Sequence, residues 1–311
     1  MLVANALQAV LTMALIIGVG VAAVRFGYIS EDMEVRISKF VLHFCVPCLL
    51  FVSCLNYISR EMVSDLGVVL LIPLFSISLC YGVAVLVGKL FRVPRENFGL
   101  FCIMFSMSNV IFIGMPLSMM IFGEEALPLI AAYFPFNTLL FWTLGAYGMA
   151  GDTGEKYKLL SMETLKKIFS PPLLGAIAGV TAALVGITPP TAIIDAMGHI
   201  GSVTTPFACI LVGCTLCRMG KDVIKVPREG WLAMIGRYMV APAIVFALGM
   251  LMGAPVFVSQ VFMTVAVMPV MSQSMLIARV YKGNYQMAAQ MIAVTTMLCF
   301  IYIPLLMAVI S

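Results

Sequence analysis

Ten apolar stretches, separated by short clusters of charged residues, run through the whole sequence. A helix needs about 20 mainly apolar residues to cross the hydrocarbon core of a bilayer. The chain of 311 residues is 62% hydrophobic and only 10% charged, whereas soluble domains carry about 25% charged residues. Barrel strands would alternate apolar with polar residues. The sequence therefore predicts an all-α polytopic membrane protein with ten transmembrane helices, at 4–26, 36–57, 65–90, 97–122, 126–149, 167–187, 191–217, 229–253, 256–281 and 285–310.

Lysine and arginine predict the orientation. Nearly all of the 18 basic residues fall in the loops after the first, third, fifth, seventh and ninth helices, and cytoplasmic loops carry an excess of such residues. We therefore expect a multi-pass protein of the cell membrane (plasma or inner) with both termini outside the cytoplasm. The net charge of +4 follows from these loops and does not indicate a nucleic-acid partner. The longest polar segment, 151–166, is expected to be a cytoplasmic linker.

The ten predicted helices divide into two halves, at 1–150 and 167–311. Each half has five helices, and because five is odd the second half must run inverted relative to the first. Inverted repeats recur among transporters. The internal similarity is weak: FCVPCLLFVSCL (44–55) resembles TTPFACILVGCTL (204–216). Aligning the residues that follow the fourth and ninth helices sets Asn137 opposite Thr296.

Two of the predicted helices carry helix-breaking residues near their middle. These are Asn109, Gly114 and Pro116 in the fourth helix, and Pro269, Ser272 and Gln273 in the ninth. A proline removes a backbone donor and clashes with the carbonyl one turn earlier. Broken backbone at this depth is tolerated only against protein or a water-filled cavity. Breaks in corresponding helices of two halves indicate a transporter's binding site, whereas either proline alone would suit an ordinary kink.

A broken helix has a specific chemical consequence. A half-helix that begins near Pro116 or Pro269 presents unpaired N–H groups and the positive end of its dipole. Such ends bind carboxylates and phosphates. The amides of Asn109 and Gln273 would add hydrogen bonds without a permanent charge. The pattern predicts a site for a small organic anion.

At these residues the chain resembles the auxin efflux carrier family, whose bacterial members include malate and malonate permeases. In that family the fourth helix carries a motif close to N-x-G-F-x-G-x-P-L. Here the motif runs from Asn109 to Leu117, with Ile111 in place of the first glycine. The ninth helix of the family reads near M-P-x-x-x-N, which here runs from Met268 to Gln273, with Gln273 in place of asparagine.

The resemblance implies a fold and a mechanism like those of the wider superfamily of bile acid:sodium symporters. It implies a scaffold of helices one, two, six and seven, and a moving transport unit of helices three to five and eight to ten. The two interrupted helices would cross at the substrate site, and access would alternate by an elevator-like movement. Related architectures often form homodimers through their scaffold helices.

Two ionisable residues inside helices have two interpretations each. His43 could relay protons or stay neutral with a ring nitrogen bonded to a neighbouring carbonyl, and the second is favoured. Arg237 could neutralise a carboxylate of the substrate or snorkel to the cytoplasmic interface, with the second slightly favoured. Because no acidic residue lies convincingly at mid-membrane, coupling to protons or to sodium stays open.

The cysteines do not predict a metal site. Cys45–Cys48 and Cys214–Cys217 have C-x-x-C spacing, but both pairs lie in apolar helices. Relative to the aligned prolines they fall about two turns apart, which argues against one shared tetrahedral site. We therefore expect buried thiols, with no metal and no cofactor.

Secondary active transport of a small carboxylate, such as a malate-like, malonate-like or auxin-like anion, is the leading functional hypothesis. No P-loop motif occurs, so ATP is not the expected energy source. An ion channel or pore is the alternative, and it would need a ring of like polar groups. An intramembrane enzyme would need a clustered nucleophile and base, which the sequence does not supply, so we expect no enzymatic activity.

Overall fold

The computed structural model describes residues 2–154, 161–218 and 226–310. Within these ranges the chain is helical and contains no β-strand, only an isolated antiparallel bridge between Ser108 and Val270. The predicted linker at 151–166 is therefore described only in part. Four lysines of the predicted basic loops lie outside the described residues: Lys156, Lys158, Lys221 and Lys225.

We number the principal helices in chain order. They are α1 (Leu2–Arg25), α2 (Glu31–Tyr57), α3 (Gly67–Leu90), α4 (Phe98–Ser106), α5 (Val110–Phe122), α6 (Glu124–Thr153), α7 (Pro171–Val185), α8 (Thr191–Arg218), α9 (Arg228–Leu251), α10 (Val256–Ala266), α11 (Gln273–Val280) and α12 (Tyr285–Ile310). Seven described helices are long and apolar enough to cross a membrane, and α5, α7 and α10 are shorter apolar helices. The chain is thus a polytopic membrane protein. Two shorter helices lie at Arg60–Leu66 and Met162–Ile168.

The predicted fourth helix corresponds to α4 and α5, and the predicted ninth helix to α10 and α11. Both are interrupted, and their interruptions meet. The amide of Asn109 donates to the carbonyl of Pro269 at 2.9 Å, beside the bridge from Ser108 to Val270. The non-helical residues 107–109 and 267–272 thus pair with each other, and we call this region the crossing.

The first interruption, at residues 107–109, does not lie at Pro116, the proline that was expected to cause it. Helix α5 begins at Val110, before Pro116, so Pro116 lies within a helix that has already started. A proline clashes with the carbonyl four residues earlier, and a wide π-turn relieves that clash. The same arrangement occurs three times: Val41–Cys45 before Pro47, Val110–Gly114 before Pro116, and Gly236–Val240 before Pro242.

Glycines divide the helices into two closely packed groups. Helix α1 packs on α8 and helix α2 on α7, and these contacts leave no room for a side chain. A Cβ atom added at Gly20 would lie 2.2 Å from the carbonyl oxygen of Ile210, and one at Gly175 would lie 2.5 Å from that of Pro47. We call α1, α2, α7 and α8 the first group.

The remaining helices, α3 to α6 and α9 to α12, form the second group. A Cβ at Gly99 of α4 would lie 2.2 Å from the backbone of Gly148 in α6, and one at Gly236 of α9 would lie 2.3 Å from the ring of Phe105. Among the described glycines whose added Cβ would come within 3.0 Å of another helix, none joins the two groups. These close glycine contacts therefore join helices within each group, and none of the described ones joins a helix of one group to a helix of the other.

The contact of α1 with α8 can be tested by two alanine substitutions on one helix. Gly20→Ala would force the backbone of α8 away, and such overpacking costs about 1–3 kcal/mol. Gly18→Ala has nothing within 4 Å of its new Cβ and should be neutral or stabilising. We expect a lower melting temperature for the detergent-purified Gly20 variant only, and equal melting temperatures would contradict the close contact.

Candidate functional site

The side chain of Asn109 joins the two interruptions. Asn109 caps α5, since its Oδ1 accepts a hydrogen bond from the amide of Phe112 at 3.3 Å. Its Nδ2 donates to the hydroxyl of Ser272 at 2.9 Å. Because Ser272 directly precedes α11, one buried amide contacts the starts of both downstream half-helices.

Each interruption is also paired with a polar side chain from the helix that follows it. Asn137 of α6 is completely buried and bonds both backbone groups of Ser108, donating to the carbonyl at 3.0 Å and accepting from the amide at 3.1 Å. In the second interruption the amide of Val270 donates to Thr295 Oγ1 at 3.0 Å. These bonds pair backbone that lacks helical partners.

Thr296, which the sequence alignment had set opposite Asn137, has no described hydrogen bond to the crossing. It is buried, but its hydroxyl donates to the carbonyl of Ile292 in its own helix at 2.6 Å. Thr295 makes the contact instead. Neighbouring helix positions point about 100° apart, so an alignment error of one residue selects the wrong threonine.

Arg237 does not snorkel to an interface, contrary to the favoured expectation. It is 0% exposed, and its five N–H groups make five hydrogen bonds. Nε and Nη2 donate to the carbonyl of Met104 at 3.0 and 2.6 Å, and Nη2 also donates to that of Met107 at 2.5 Å. Nη1 donates to the carbonyl of Met268 at 2.6 Å and to the Ser108 hydroxyl at 3.2 Å. Carbonyls of the crossing and of the last turn of α4 thus hold the guanidinium inside the bundle.

A cavity of about 270 Å³ lies beside the crossing, between the two helix groups. The second group contributes the polar residues of α5, α6 and α11, and the first group contributes the π-turn of α2 and the start of α7. Its wall includes Asn109, Val110, Asn137, Thr138, Trp142, Ser272 and Gln273 from the second group, and His43, Ser170 and Pro171 from the first. Lys166 and Lys167, from the short helix Met162–Ile168, also line it.

Three polar atoms of this wall have no partner among the described residues. They are Thr138 Oγ1, Ser170 Oγ and Gln273 Oε1, and they make up half of the six buried side-chain atoms left unpaired there. Most buried polar atoms in proteins are hydrogen-bonded, and each exception requires an explanation. Their concentration on one cavity wall indicates a place for a polar ligand or for water.

The charges of the cavity have one sign. Lys166 and Lys167 line it, and the described lining contains no aspartate or glutamate. Lys167 Nζ lies 4.6 Å from the centre of the Trp142 ring, which positions its charge by a cation–π contact. The helices α5 and α11 begin at Val110 and Gln273, both on the wall, so two positive dipole ends lie there as well.

The structure brings some predicted site residues to the cavity and leaves others behind it. Asn109, Asn137, Ser272, Gln273 and His43 lie on the wall, and His43 Nδ1 donates to the carbonyl of Lys39 at 2.8 Å, as the favoured interpretation expected. The described lining does not include Gly114, Pro116, Pro269, Arg237 or Thr296. Gly114 packs behind the crossing, where a Cβ would lie 3.1 Å from Met268 Cγ.

Several residues at the site were missed by the sequence reasoning: Ser108, Thr138, Lys166, Lys167, Ser170 and Thr295. Two signals were available. Thr138 directly follows Asn137, and Ser170 precedes the Pro171-Pro172 pair that starts α7. The lysines were assigned to the basic loop or its edge, and only the three-dimensional path of the chain places them on the cavity wall.

Comparison with known proteins agrees with this architecture. A family model described as membrane transport protein matches residues 5–307. The chain belongs to this membrane transport protein family. The match confirms the auxin efflux carrier-like family that the motifs around Asn109 and Pro269 had indicated.

This transporter has relatives of similar length. It is 24% identical over 310 residues to an uncharacterized transporter of Methanocaldococcus jannaschii, covering 96% of this chain and 97% of that one. It is 25% identical over 217 residues to an uncharacterized transporter of Methanothermobacter thermautotrophicus, covering 67% of each chain. It is 24% identical over 271 residues to a protein named "Putative malonate transporter" from Rhizobium meliloti, covering 84% of this chain and 82% of the relative. These names describe transporters rather than enzymes.

The pairing of Asn137 with Ser108 can be tested against its neighbour. Asn137→Ala would leave two buried backbone groups unpaired, at about 1–3 kcal/mol each. Thr138→Val removes a hydroxyl that has no described partner and keeps the side-chain shape. We expect a melting temperature several degrees lower for Asn137→Ala and no decrease for Thr138→Val. A stable Asn137→Ala protein would contradict the role of this amide.

Proposed function

We propose that this protein is a secondary active transporter of a small organic anion, with a malonate-like carboxylate as the first candidate. The observation that supports this proposal most directly is the cavity at the crossing. Unpaired polar atoms, two helix starts and two lysines converge there, and its described lining contains no acidic residue. The name of the Rhizobium relative supports the choice of malonate as the first substrate to test.

The binding mode follows from the wall of the cavity. The carboxylate lies against the first turns of α5 and α11, where the positive ends of the helix dipoles favour negative charge. Thr138 and Ser170 donate from their hydroxyls, and the Gln273 amide donates when it turns its nitrogen inward. A volume of 270 Å³ suits a molecule of up to about ten heavy atoms, given roughly 30 Å³ per water in the liquid.

We further propose that the ten predicted helices form two inverted halves. Each half interrupts one helix, and each interruption is bonded by a side chain of the next helix, Asn137 or Thr295. The antiparallel pairing of Ser108 with Val270 supports opposite orientations. The positive-inside rule then places the basic loops in the cytoplasm and both termini outside.

An elevator-like movement is the proposed form of alternating access. The first helix group would be the scaffold, and the second group would be the transport unit. The glycine contacts support this division, because they lock helices within each group and none between the groups. An interface without interlocked backbones can slide, whereas interlocked ones move together.

Two described hydrogen bonds join the two groups at one end of the bundle. Asn5 Nδ2 donates to the carbonyl of Ile121 at 3.2 Å, and the Tyr57 hydroxyl donates to Glu124 at 3.2 Å. At the opposite, basic end a second cavity of about 670 Å³ separates the groups and also reaches Ser272. We infer that the structure corresponds to an inward-facing state.

A homodimer that forms through the scaffold helices stays a prediction.

Transport can be tested in proteoliposomes with radiolabelled malonate and a labelled monocarboxylate. Gln273→Glu keeps the side-chain shape but adds negative charge to the wall, and Gln273→Ala removes the amide. We expect uptake to fall about tenfold for Gln273→Ala, as for loss of one hydrogen bond to a charged group, and further for Gln273→Glu. Gln8→Ala, exposed on α1, serves as the matched control.

Wild-type rates in both Gln273 variants would refute the proposed site. A carrier also shows saturable uptake that an internal pool of the same substrate accelerates by exchange. Uptake that rises linearly with concentration, without such exchange, would favour a pore instead.

The proposed movement can be tested by linking the two groups. In a pair with Asn5→Cys and Ile121→Cys, a cross-link should stop transport until a reductant cleaves it. The matched pair Asn97→Cys and Glu229→Cys replaces a hydrogen bond of 2.9 Å within the transport unit, and its cross-link should leave transport unchanged. Full transport in the cross-linked Asn5–Ile121 pair would exclude relative movement of α1 and α5.

A further inference from the structure

The charge of Arg237 has no acidic counterpart among the described residues. Its side chain is completely buried, and all of its hydrogen-bond acceptors are neutral: three backbone carbonyls and one hydroxyl. The described ion pairs, Arg36–Asp32 and Arg218–Glu34, lie elsewhere. A buried charge normally requires an opposite charge or a set of oriented dipoles. Here the dipoles alone hold it.

These acceptors come from the negative ends of two half-helices. Met104 and Met107 belong to the last turn and the end of α4, and Met268 lies just beyond the end of α10. The last carbonyls of a helix have no partner within it, and they carry the negative end of its dipole. In transporters with discontinuous helices, such ends and unwound carbonyls coordinate the coupling sodium ion or proton.

Resting on the proposed transport function, we propose that Arg237 is a built-in cation that takes the place of a coupling sodium ion at the crossing. Its guanidinium occupies the carbonyl cage and holds α4 and α10 together, so transport requires no sodium. Arg237 is a positioning residue, because it acts through the backbone of the crossing and not on the cavity wall.

The geometry explains why arginine occupies this position. A guanidinium has five N–H donors in a fixed plane, and the cage supplies an acceptor to each of the five. A lysine ammonium has three donors and is more strongly hydrated. Lysine would keep the charge, but its three donors would leave at least one of the four acceptor groups, and two of the five hydrogen bonds, unmade.

The same arrangement gives the crossing an electrical polarity. The cation covers the negative helix ends on one side, and the positive ends of α5 and α11 remain directed to the cavity. A sodium ion in the cage would have to bind and leave in each cycle. A covalently attached guanidinium keeps the potential positive throughout the cycle.

Chemical rescue of a truncated side chain tests this proposal without any substrate. In Arg237→Ala the cage loses its cation, and we expect a lower melting temperature that millimolar guanidinium raises again by about 5 °C through mass action. Neither the wild type nor Arg25→Ala, a variant of an exposed arginine, should respond. Absence of a selective rise would overturn the built-in cation.

A second measurement covers the case in which Arg237→Ala does not fold. Replacing sodium with choline should leave the melting temperature and the anion uptake of the wild type unchanged, and Arg237→Lys should fold with a lower melting temperature than the wild type. Sodium-dependent uptake, or Arg237→Lys as stable as the wild type, would overturn this proposal and leave the transport function standing. Absence of anion uptake in every buffer would instead refute the transport function, while the melting experiments would still decide the role of Arg237.

Discussion

Pairing of backbone groups that no helix can pair is the constraint on which this structure depends. Inside a bilayer each unpaired N–H or C=O costs several kcal/mol, and the chain interrupts two helices there. The interruptions satisfy each other through the Asn109 amide and the Pro269 carbonyl. Asn137 and Thr295 bond the residues between them. Asn109, Asn137 and Thr295 therefore have a structural reason for their positions.

The crossing pairs unpaired backbone groups, and it also places the negative and the positive ends of the half-helices on different sides. At the ends of α4 and α10 the carbonyls converge on Arg237, whereas the starts of α5 and α11 lie on a wall with lysines and without described acids. One guanidinium thus removes the electrostatic conflict between two helix ends at close range. The remaining positive ends face the cavity, where an anion has space.

The sequence predicted an all-helical polytopic membrane protein, the two interruptions, the family and the three amides that line the wall, because hydropathy, proline and asparagine act through local rules. It did not predict that α5 starts before Pro116, since a π-turn absorbs that proline. Nor did it predict that Thr295 rather than Thr296 faces the crossing, or that Arg237 is enclosed. Those features depend on contacts between distant parts of the chain. Arg237 and the Met104 carbonyl that accepts its hydrogen bond, for example, are more than 100 residues apart in sequence, and no local rule predicts such a contact.

The position of the cavity follows from the same division of the molecule. Its polar wall belongs to the second helix group, and the opposite wall, with His43 and Ser170, lies on or beside helices of the first group. A site confined to one unit would keep its surroundings when that unit moved. A site shared between two units changes its exposure as soon as they shift, because residues of one unit that line the site are replaced by other residues of that unit or by solvent. The interface between the groups, which no described close glycine contact spans, is therefore the place that the proposed alternating access would use.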